Sequence, residues 1–282
     1  MKHDICLYED SRLNNLREMK ILLLGILTCI VTKALSQTPT FTCLNGHSHN
    51  DYFQKKPFQT AFEVGMGSIE VDVFLEDKNL YVGHLNFKKI PTRTFEKMYL
   101  KPIVEAARSS KIYPLQLVID VKSEAEPTLT EIIRELSLYP DVFNENSMLK
   151  VVISGHRPKP EKWLTYPSFI QFDARPNKNY TLAQWARVGL VSAKFSHYAS
   201  GWNNNIRNPT IFFKMKVTVD AIHAKGKKIR FWKTPDNERA WETLMAMNVD
   251  FINTNSPKVF ASFLNYRSSL FLFNAKADIA NE

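Results

Sequence analysis

Short runs of apolar and β-branched residues recur along this chain, and polar residues follow most of them directly. Runs of this length and composition are typical of strands that are buried on both faces. We therefore predict eight strands, at residues 41–46, 68–74, 115–121, 150–154, 169–172, 188–193, 228–232 and 251–253.

The segments between these runs have apolar residues at three- and four-residue spacing, which is the helical period. The predicted helices are 92–109, 127–139, 181–188, 217–225 and 237–247. Alternating strands and helices favour parallel pairing, so an α/β fold, the TIM (β/α)8 barrel, is expected. An open doubly wound sheet is the alternative. We favour the barrel because it would gather the polar residues after the strands at one mouth.

The N-terminus has the features of a targeting segment. Residues 21–31 are an almost unbroken apolar run, Lys20 precedes it, and the small residues Ala34 and Ser36 follow it. This order is typical of a secretory signal peptide, and the run is short for a membrane span. We therefore predict a signal peptide at residues 1–36.

Cleavage before Gln37 would leave residues 37–282 as a single domain, exported to the periplasm or the extracellular space. Met19 is followed by Lys20 and would also make an ordinary signal start, and a retained N-terminal anchor is the alternative to cleavage. Only Cys43 would remain after cleavage, so no internal disulfide is expected.

The chain carries a net charge of +9, and residues 1–36 contribute only +1 of it, from five basic and four acidic residues. The expected mature domain is thus basic, which favours an anionic substrate or peripheral contact with an anionic membrane surface. A simple role in solubility is the alternative. The basic residues are scattered and match no nucleic-acid-binding motif, so no nucleic-acid partner is expected.

The first predicted strand is followed by a dense polar cluster, GHSHNDY at residues 46–52. It contains His47, His49 and Asn50 within four positions. A single histidine at such a place is more often a structural hydrogen-bonding group, but this cluster coincides with polar ends on other strands.

The second predicted strand reads SIEVDVF and contains two acids, Glu70 and Asp72. Side chains alternate along a strand, so these two point to the same side. Buried carboxylates are costly unless they are paired or bound to a metal, and oxygen ligands suit Mg²⁺ or Ca²⁺. The alternative is a carboxylate pair bridged to a lysine or an arginine.

Two further segments bring polar residues to the same region. A short hairpin ends at His84, and the third predicted strand, LVIDVK, ends with Asp120 and Lys122. Asp120 could complete the metal site and Lys122 could hold a phosphate oxygen.

Two histidines, three acids and a lysine suit the cleavage of a phosphodiester. A metal neutralises the phosphate and activates a hydroxyl. One histidine then takes a proton and another gives one to the leaving oxygen. The sequence has no Gly-rich phosphate loop, no zinc-thiolate pattern and no G-x-S-x-G elbow.

The motifs GHSHNDY, GSIEVDVFL and LYVGH, in this order, resemble the superfamily of phosphatidylinositol-specific phospholipase C and glycerophosphodiester phosphodiesterase. The closest likeness is the HSHNDY subgroup, typified by the fungal altered inheritance of mitochondria proteins and their exported bacterial relatives. LVIDVK, IRFWKTPDN and VDFINTNSP extend the resemblance over about residues 41–260.

The resemblance implies a role for each matching residue. Glu70, Asp72 and Asp120 take metal-ligand positions for one divalent cation, Mg²⁺ or Ca²⁺. His84 takes the position of the second catalytic histidine. Lys122 matches a phosphate-binding lysine, and Trp232 matches an aromatic residue that lines the site.

The resemblance leaves two choices for the first catalytic histidine. The His-Arg-Gly start of the glycerophosphodiesterases selects His47, whereas the Ser-His-Asn-x-Tyr motif of the eukaryotic phospholipases selects His49, with Asn50 as a metal ligand. We favour His47. Ser48 replaces the arginine of His-Arg-Gly, and Met247 and Asn248 replace a glycine near the last strand, which puts glycerol-phosphate specificity in doubt.

The expected function is metal-dependent hydrolysis of a glycerophosphodiester or a phospholipid-like diester, a reaction of lipid metabolism. Two other functions are compatible with the same residues. One is a barrel that binds a phosphorylated ligand without turnover, and the other is a phosphomonoesterase.

Overall fold

The computed structural model describes residues 41–83, 90–199 and 208–280, whose strands form a single sheet. Eight of the nine strands are parallel to their neighbours, and β3 is antiparallel to β2. The strands are β1 (Gly46–Ser48), β2 (Ser68–Glu76), β3 (Asn79–Val82), β4 (Leu115–Val121), β5 (Leu149–Gly155), β6 (Ile170–Ala174), β7 (Val188–Lys194), β8 (Ile229–Trp232) and β9 (Ile252–Thr254).

The eight parallel strands follow the order β8-β7-β6-β5-β4-β2-β1-β9. A parallel bridge from Arg230 in β8 to Phe251, just before β9, joins the two ends of this order. The sheet is therefore a nearly closed barrel, which confirms the prediction of a TIM barrel over an open sheet. β3 forms a hairpin with β2 outside the barrel order.

The first strand lies later in the chain than predicted. Residues 41–46 were expected to be extended, but Cys43–Asn45 is a turn of 3₁₀-helix and β1 begins at Gly46. The Thr42 hydroxyl accepts a hydrogen bond from the backbone N–H of Leu44, the Asn45 side chain accepts one from the backbone N–H of Thr42, and both stabilise this turn. The correction matters for the site, because it places His47 within β1 and His49 one residue beyond its end.

The helices broadly match the predicted segments. The segment predicted at 92–109 is a π-helical turn, Glu96–Leu100, followed by an α-helix. A longer helix replaces the one predicted at 217–225, since Asn208 caps its start and Pro209 suits its first turn. The α-helices are Gln59–Glu63, Lys101–Arg108, Ala125–Leu136, Leu182–Ala186, Pro209–His223, Glu238–Ala246 and Pro257–Ala280, of which the first and last were not predicted.

The two faces of the barrel strands have different surroundings. In β4, Leu117, Ile119 and Val121 belong to the main core between strands and helices. The alternate residue Val118 belongs to a separate small cluster with Val152, Leu190 and Phe251. The barrel interior thus contains a small apolar cluster, and two polar residues described below, Glu70 and Arg230, are register partners of its members Val118 and Phe251.

Two predictions fall outside the described residues. These are the signal peptide at 1–36 and the position of His84. Within the described part of the chain, no helix combines the length and the apolar character that crossing a membrane requires.

Candidate functional site

Three carboxylates converge where β2 and β4 approach the barrel mouth. Glu70, Asp72 and Asp120 each offer an oxygen, and these atoms lie within 4.8 Å of one another. Asp72 and Asp120 are register partners on neighbouring parallel strands, so the sheet itself places them side by side. The structure therefore brings together the three acids that the sequence proposed as metal ligands.

The Asp120 carboxylate is packed against the end of β5. Its Oδ1 is buried and has no hydrogen-bond partner among the described residues. Burial raises the pKa of this carboxyl to about 6, the Glu70 carboxylate raises it as well, and Lys122 opposes the shift. A Cβ on Gly155 would lie 1.9 Å from Oδ1, so a glycine is required for the carboxylate to occupy this place.

Lys122 follows β4 directly and lies between two of these acids. Its Nζ is 3.0 Å from Asp120 Oδ2 and 3.3 Å from Asp72 Oδ2. Burial alone would lower the pKa of Lys122, but the two carboxylates outweigh it, so the pKa is raised. Lys122 is a cation at neutral pH and remains partly exposed, as a phosphate-binding side chain must be.

Arg230 in β8 is a central residue of the site that the sequence prediction missed. It is buried and its Nη1 contacts both Glu70 Oε2 and His47 Nε2, while its Nε donates to Ser192 Oγ at 2.9 Å. Burial alone would raise the pKa of Glu70, but Arg230 and His47 hold it well below the usual range. The sequence contains one indication of this role. Side chains alternate along a strand, so Arg230 points to the same side as Trp232, which the resemblance places in the site.

His47 is fully buried, with both ring nitrogens in contact with neighbouring groups. Its Nε2 contacts the Arg230 guanidinium and, at 3.1 Å, Glu70 Oε2, and its Nδ1 is 2.7 Å from Ser68 Oγ. Burial and the charge of Arg230 lower the pKa of His47 to about 4, although Glu70 acts in the opposite direction. The ring is therefore neutral at pH 7.

His49 lies beyond the end of β1 and is more accessible, with a 28% exposed side chain. Its Nδ1 is 2.8 Å from Asn255 Oδ1, which only accepts, so Nδ1 carries the proton. The other nitrogen, Nε2, is 3.7 Å from Glu70 Oε1. The structure thus places Nε2 of a partly exposed histidine next to the carboxylate cluster.

The residues after His49 connect the first loop to the cluster. Asn50 has a left-handed backbone, φ 50°, and its Oδ1 is 3.2 Å from the Tyr52 hydroxyl. The same hydroxyl donates to Asp72 Oδ2 at 2.8 Å. Asp51, not singled out from the sequence, is buried and accepts hydrogen bonds from the hydroxyls of Ser48 and Tyr99. These bonds fix the conformation of the loop that carries His49.

Trp232 ends β8 on the other side of the mouth. Its ring lies 5.6 Å from the ammonium groups of both Lys194 and Lys233. Stacking of cations on an indole is favourable and concentrates positive charge here. The predicted role of Trp232 in lining the site is compatible with this place, because β8 ends at the same mouth as β2 and β4.

The charges of the cluster do not balance. Glu70, Asp72 and Asp120 supply three negative charges, and Lys122 and Arg230 supply two positive ones. The sequence left open that the carboxylates are bridged by a lysine or an arginine instead of a metal. The structure contains such bridges, because Lys122 and Arg230 both contact the acids. One negative charge remains uncompensated within this cluster, and Asp120 Oδ1 still has no described partner.

Solved structures of similar overall fold include a phosphodiesterase of Oleispira antarctica in complex with the product sn-glycerol-3-phosphate. It is 14% identical, with a TM-score of 0.49, and the match covers 78% of this chain and 95% of that one. A Ca²⁺-dependent phosphatidylinositol-specific phospholipase C of Streptomyces antibioticus is 12% identical, with a TM-score of 0.45, over 79% and 97% of the two chains.

Curated relatives carry the name altered inheritance of mitochondria protein 6. The homolog from Arthroderma benhamiae is 25% identical over 254 residues, which is 74% of this chain and 80% of the relative. The protein from Eremothecium gossypii is 24% identical over 284 residues, or 83% and 72% of the two chains. A Saccharomyces cerevisiae protein is 39% identical, but over 61 residues only, 21% and 16% of the two chains.

Two family models match separate parts of the chain. The AIM6-like phosphodiesterase domain matches residues 36–116, which include the histidine cluster and the acids of β2. The glycerophosphoryl diester phosphodiesterase family matches residues 228–258, which include β8 and β9. These matches join the first and the last strands of one barrel, and they confirm the resemblance of this chain to the superfamily of phosphatidylinositol-specific phospholipase C and glycerophosphodiester phosphodiesterase.

Proposed function

We propose that the chain hydrolyses phosphodiesters at the barrel mouth with one divalent cation held by Glu70, Asp72 and Asp120. The observation that carries this proposal is the convergence of three carboxylates within 4.8 Å. Oxygens that bind one Ca²⁺ at about 2.3–2.6 Å lie at most about 5 Å apart, so this spacing fits a shared ion. The uncompensated negative charge and the unpartnered Asp120 Oδ1 also fit a cation.

The donor set suits Mg²⁺ or Ca²⁺, because all three ligands are carboxylate oxygens. Asn50 Oδ1 adds a further oxygen next to Tyr52, which contacts Asp72. When bound, the cation would neutralise a phosphate oxygen and lower the pKa of the attacking hydroxyl. Lys122 would contact a second phosphate oxygen from its place beside Asp72 and Asp120.

The accessible His49 is the better-placed general base in this geometry, although the sequence favours His47. Asn255 holds the proton on Nδ1, so Nε2 is free to accept a proton from the attacking hydroxyl. His47 has its Nε2 directed at Arg230 and Glu70 and is fully buried. We propose that His47 acts by positioning Glu70, and that His84 supplies the proton to the leaving oxygen, as the sequence motif implies.

The substrate in this proposal is a small or lipid-like phosphodiester with an organic group on each side. The net charge of +9 favours such an anion and also an anionic membrane surface. Export through the signal peptide at 1–36 belongs to the same proposal. Intact-mass analysis of protein from the native host checks it, since a chain that retains Met1 or Met19 would count against cleavage.

The function is tested by comparing bis(p-nitrophenyl) phosphate with p-nitrophenyl phosphate in Mg²⁺, Ca²⁺ or chelator. We expect turnover of the diester with metal and its loss with chelator. Faster turnover of the monoester would indicate a phosphomonoesterase instead. If neither compound is hydrolysed, and no member of a panel of glycerophosphodiesters is hydrolysed either, the result would favour a barrel that binds a phosphorylated ligand without turnover.

A further inference from the structure

A cavity of about 420 Å³ lies at the barrel mouth beside the carboxylate cluster. Its walls come from segments that follow three consecutive parallel strands, β4, β5 and β6. The residues used in the argument are Gly155, His156, Arg157, Lys159, Trp163 and Tyr180. The volume is within the range of about 300–1,000 Å³ that small-molecule pockets occupy.

One wall separates this cavity from the proposed cation site. Gly155 lines the cavity, and its missing Cβ would lie 1.9 Å from Asp120 Oδ1. The next residue, His156, donates its backbone N–H to Val121 O at 2.8 Å, which ties the cavity wall to β4. The cavity and the proposed cation site are therefore neighbours on the two sides of Gly155.

The rim of the cavity is cationic. His156 and Lys159 are exposed and Arg157 is half-buried, and none of the described lining residues carries a carboxylate. Glu124 and Glu161 adjoin the lining residues Ala125 and Pro160 in the sequence, and two other nearby acids are paired with cations. Asp173 bonds Arg175 at 2.6 Å and Ser154 at 2.9 Å, and Glu126 pairs with Lys162 at 2.5 Å.

The side chains on the rim retain donors for a ligand. A guanidinium has five N–H donors, and Arg157 uses part of them on Gly155 O, at 3.2 Å, and on the Tyr180 side chain. The exposed ammonium of Lys159 adds three further N–H donors. Ala125, the first residue of the helix Ala125–Leu136, also lines the cavity, and a helix N-terminus adds positive potential.

The floor of the cavity is aromatic and rigid. Trp163 is buried, stacks on Tyr180 at 5.4 Å and on Phe172 at 4.7 Å, and donates its Nε1–H to Pro158 O. A rigid apolar floor below a cationic rim suits an organic anion, because the floor takes the carbon skeleton and the rim takes the charge. A bare inorganic ion would use only the rim.

We propose that this cavity binds a second anionic group, a phosphate or a carboxylate, on the organic part of the substrate. The substrate is then a phosphodiester with two separated negative charges. This inference rests on the proposed function for the position of the scissile phosphate. If the inference holds, the protein distinguishes between diesters by a charged group of the substrate that takes no part in the reaction.

The test uses chromogenic diesters that differ only in this second charge. Ethyl p-nitrophenyl phosphate is compared with its 2-carboxyethyl and 2-phosphonoethyl analogues, and the set is repeated with longer alkyl chains. We expect the wild-type protein to have at least about tenfold higher kcat/KM for an anionic analogue than for the alkyl diester, mainly through KM. The carboxylate and phosphonate arms show which anion the cavity prefers.

The variant His156→Ala/Lys159→Ala removes two exposed side chains from the rim, and thermal unfolding checks that it folds. We expect its preference for the anionic analogues to fall about tenfold or more. Lys178→Ala is the matched control, since Lys178 is an exposed lysine of the neighbouring loop outside the cavity. It should keep the full preference.

Binding of inorganic phosphate in chelator separates this inference from the proposed function. Calorimetric titration should show weaker binding to the double variant than to Lys178→Ala, even if no diester is hydrolysed. Equal preference for neutral and anionic diesters at every chain length would overturn the inference. Equal phosphate affinity of the double variant and the control would overturn it as well.

Discussion

The two sides of the barrel mouth differ in the sign of their charge. Around β2 and β4, Glu70, Asp72 and Asp120 leave a negative charge that Lys122 and Arg230 do not fully compensate. After β5, the cavity rim is cationic and no described lining residue is acidic. Only Gly155 stands between Asp120 and the cavity. The proposed cation site and the proposed anion-binding cavity therefore lie on opposite sides of Gly155.

The two histidines of the acidic side provide the sharpest test of this comparison. We expect His49→Ala to lower kcat by about 10²–10⁴-fold with little loss of stability, because general acid–base catalysis has this magnitude and His49 is partly exposed. His47→Ala should instead lower the free energy of unfolding, since it leaves a void in the buried site and removes one contact each from Arg230 and Ser68. Steady-state kinetics and chemical denaturation measure both. A larger loss of kcat in a stable His47→Ala protein would restore His47 as the base.

The cation site is tested by removing one charge without changing shape. We expect Asp72→Asn to weaken metal affinity by at least about 100-fold, since even outer-shell changes cost 10–100-fold. Excess metal should partly restore turnover. Calorimetric metal titration measures the affinity. Asp141→Asn is the control, because Asp141 is exposed and pairs only with Arg108 on the surface. Unchanged metal affinity in Asp72→Asn would contradict the assignment.

The glycine between the two sides offers a matched pair of substitutions. Gly155 and Gly226 both have φ 65°, but a Cβ on Gly226 would meet nothing within 4 Å. Both Gly→Ala changes carry the strain of a left-handed backbone, about 1 kcal/mol. Gly155→Ala should cost about 1–3 kcal/mol more through the clash with Asp120. Chemical denaturation measures this difference, and equal losses would show that the Asp120 carboxylate is not confined there.

The smallest expected effect concerns the pH dependence of the metal-free protein. Because the pKa of Asp120 is raised to about 6 by burial and by Glu70, its protonated form favours folding. That contribution is complete below about pH 3.9, the usual value, and is lost as pH rises through 6. We therefore compare the free energies of unfolding of Asp120→Asn and the wild type in chelator. The value for Asp120→Asn should rise by about 1–2 kcal/mol relative to the wild type as the pH increases from 4 to 7. A constant difference between the two proteins would contradict this pKa.

Much of the fold could be predicted from local patterns. The apolar runs gave all eight barrel strands, and β4 falls on the predicted residues 115–121. The first strand was misplaced because residues 41–45 are rich in residues typical of strands, yet the Thr42 cap makes a 3₁₀ turn there. The helix Gln59–Glu63 was missed because it has fewer than two turns, too short for a helical period to be recognised.

The acidic side of the site could also be predicted, because its residues lie in one strand and in the strand that pairs with it. Glu70 and Asp72 share a face by alternation, and parallel pairing puts Asp120 beside them. The cavity could not be predicted, since its rim and floor come from loops whose backbone no periodic pattern describes. His156, Lys194 and Asn255 give no signal in the sequence beyond being polar residues that follow strands.

The sequence by itself determined which residues face the barrel interior, because a strand's side chains alternate with a fixed period of two. It also determined which of them reach the mouth, because parallel strands end together. Only the tertiary structure decided which of these residues meet across the barrel. Arg230 contacts Glu70, 160 positions away, through closure of the barrel between β8 and β9. That closure depends on the tilt and stagger of all the strands together, which no single strand's sequence specifies.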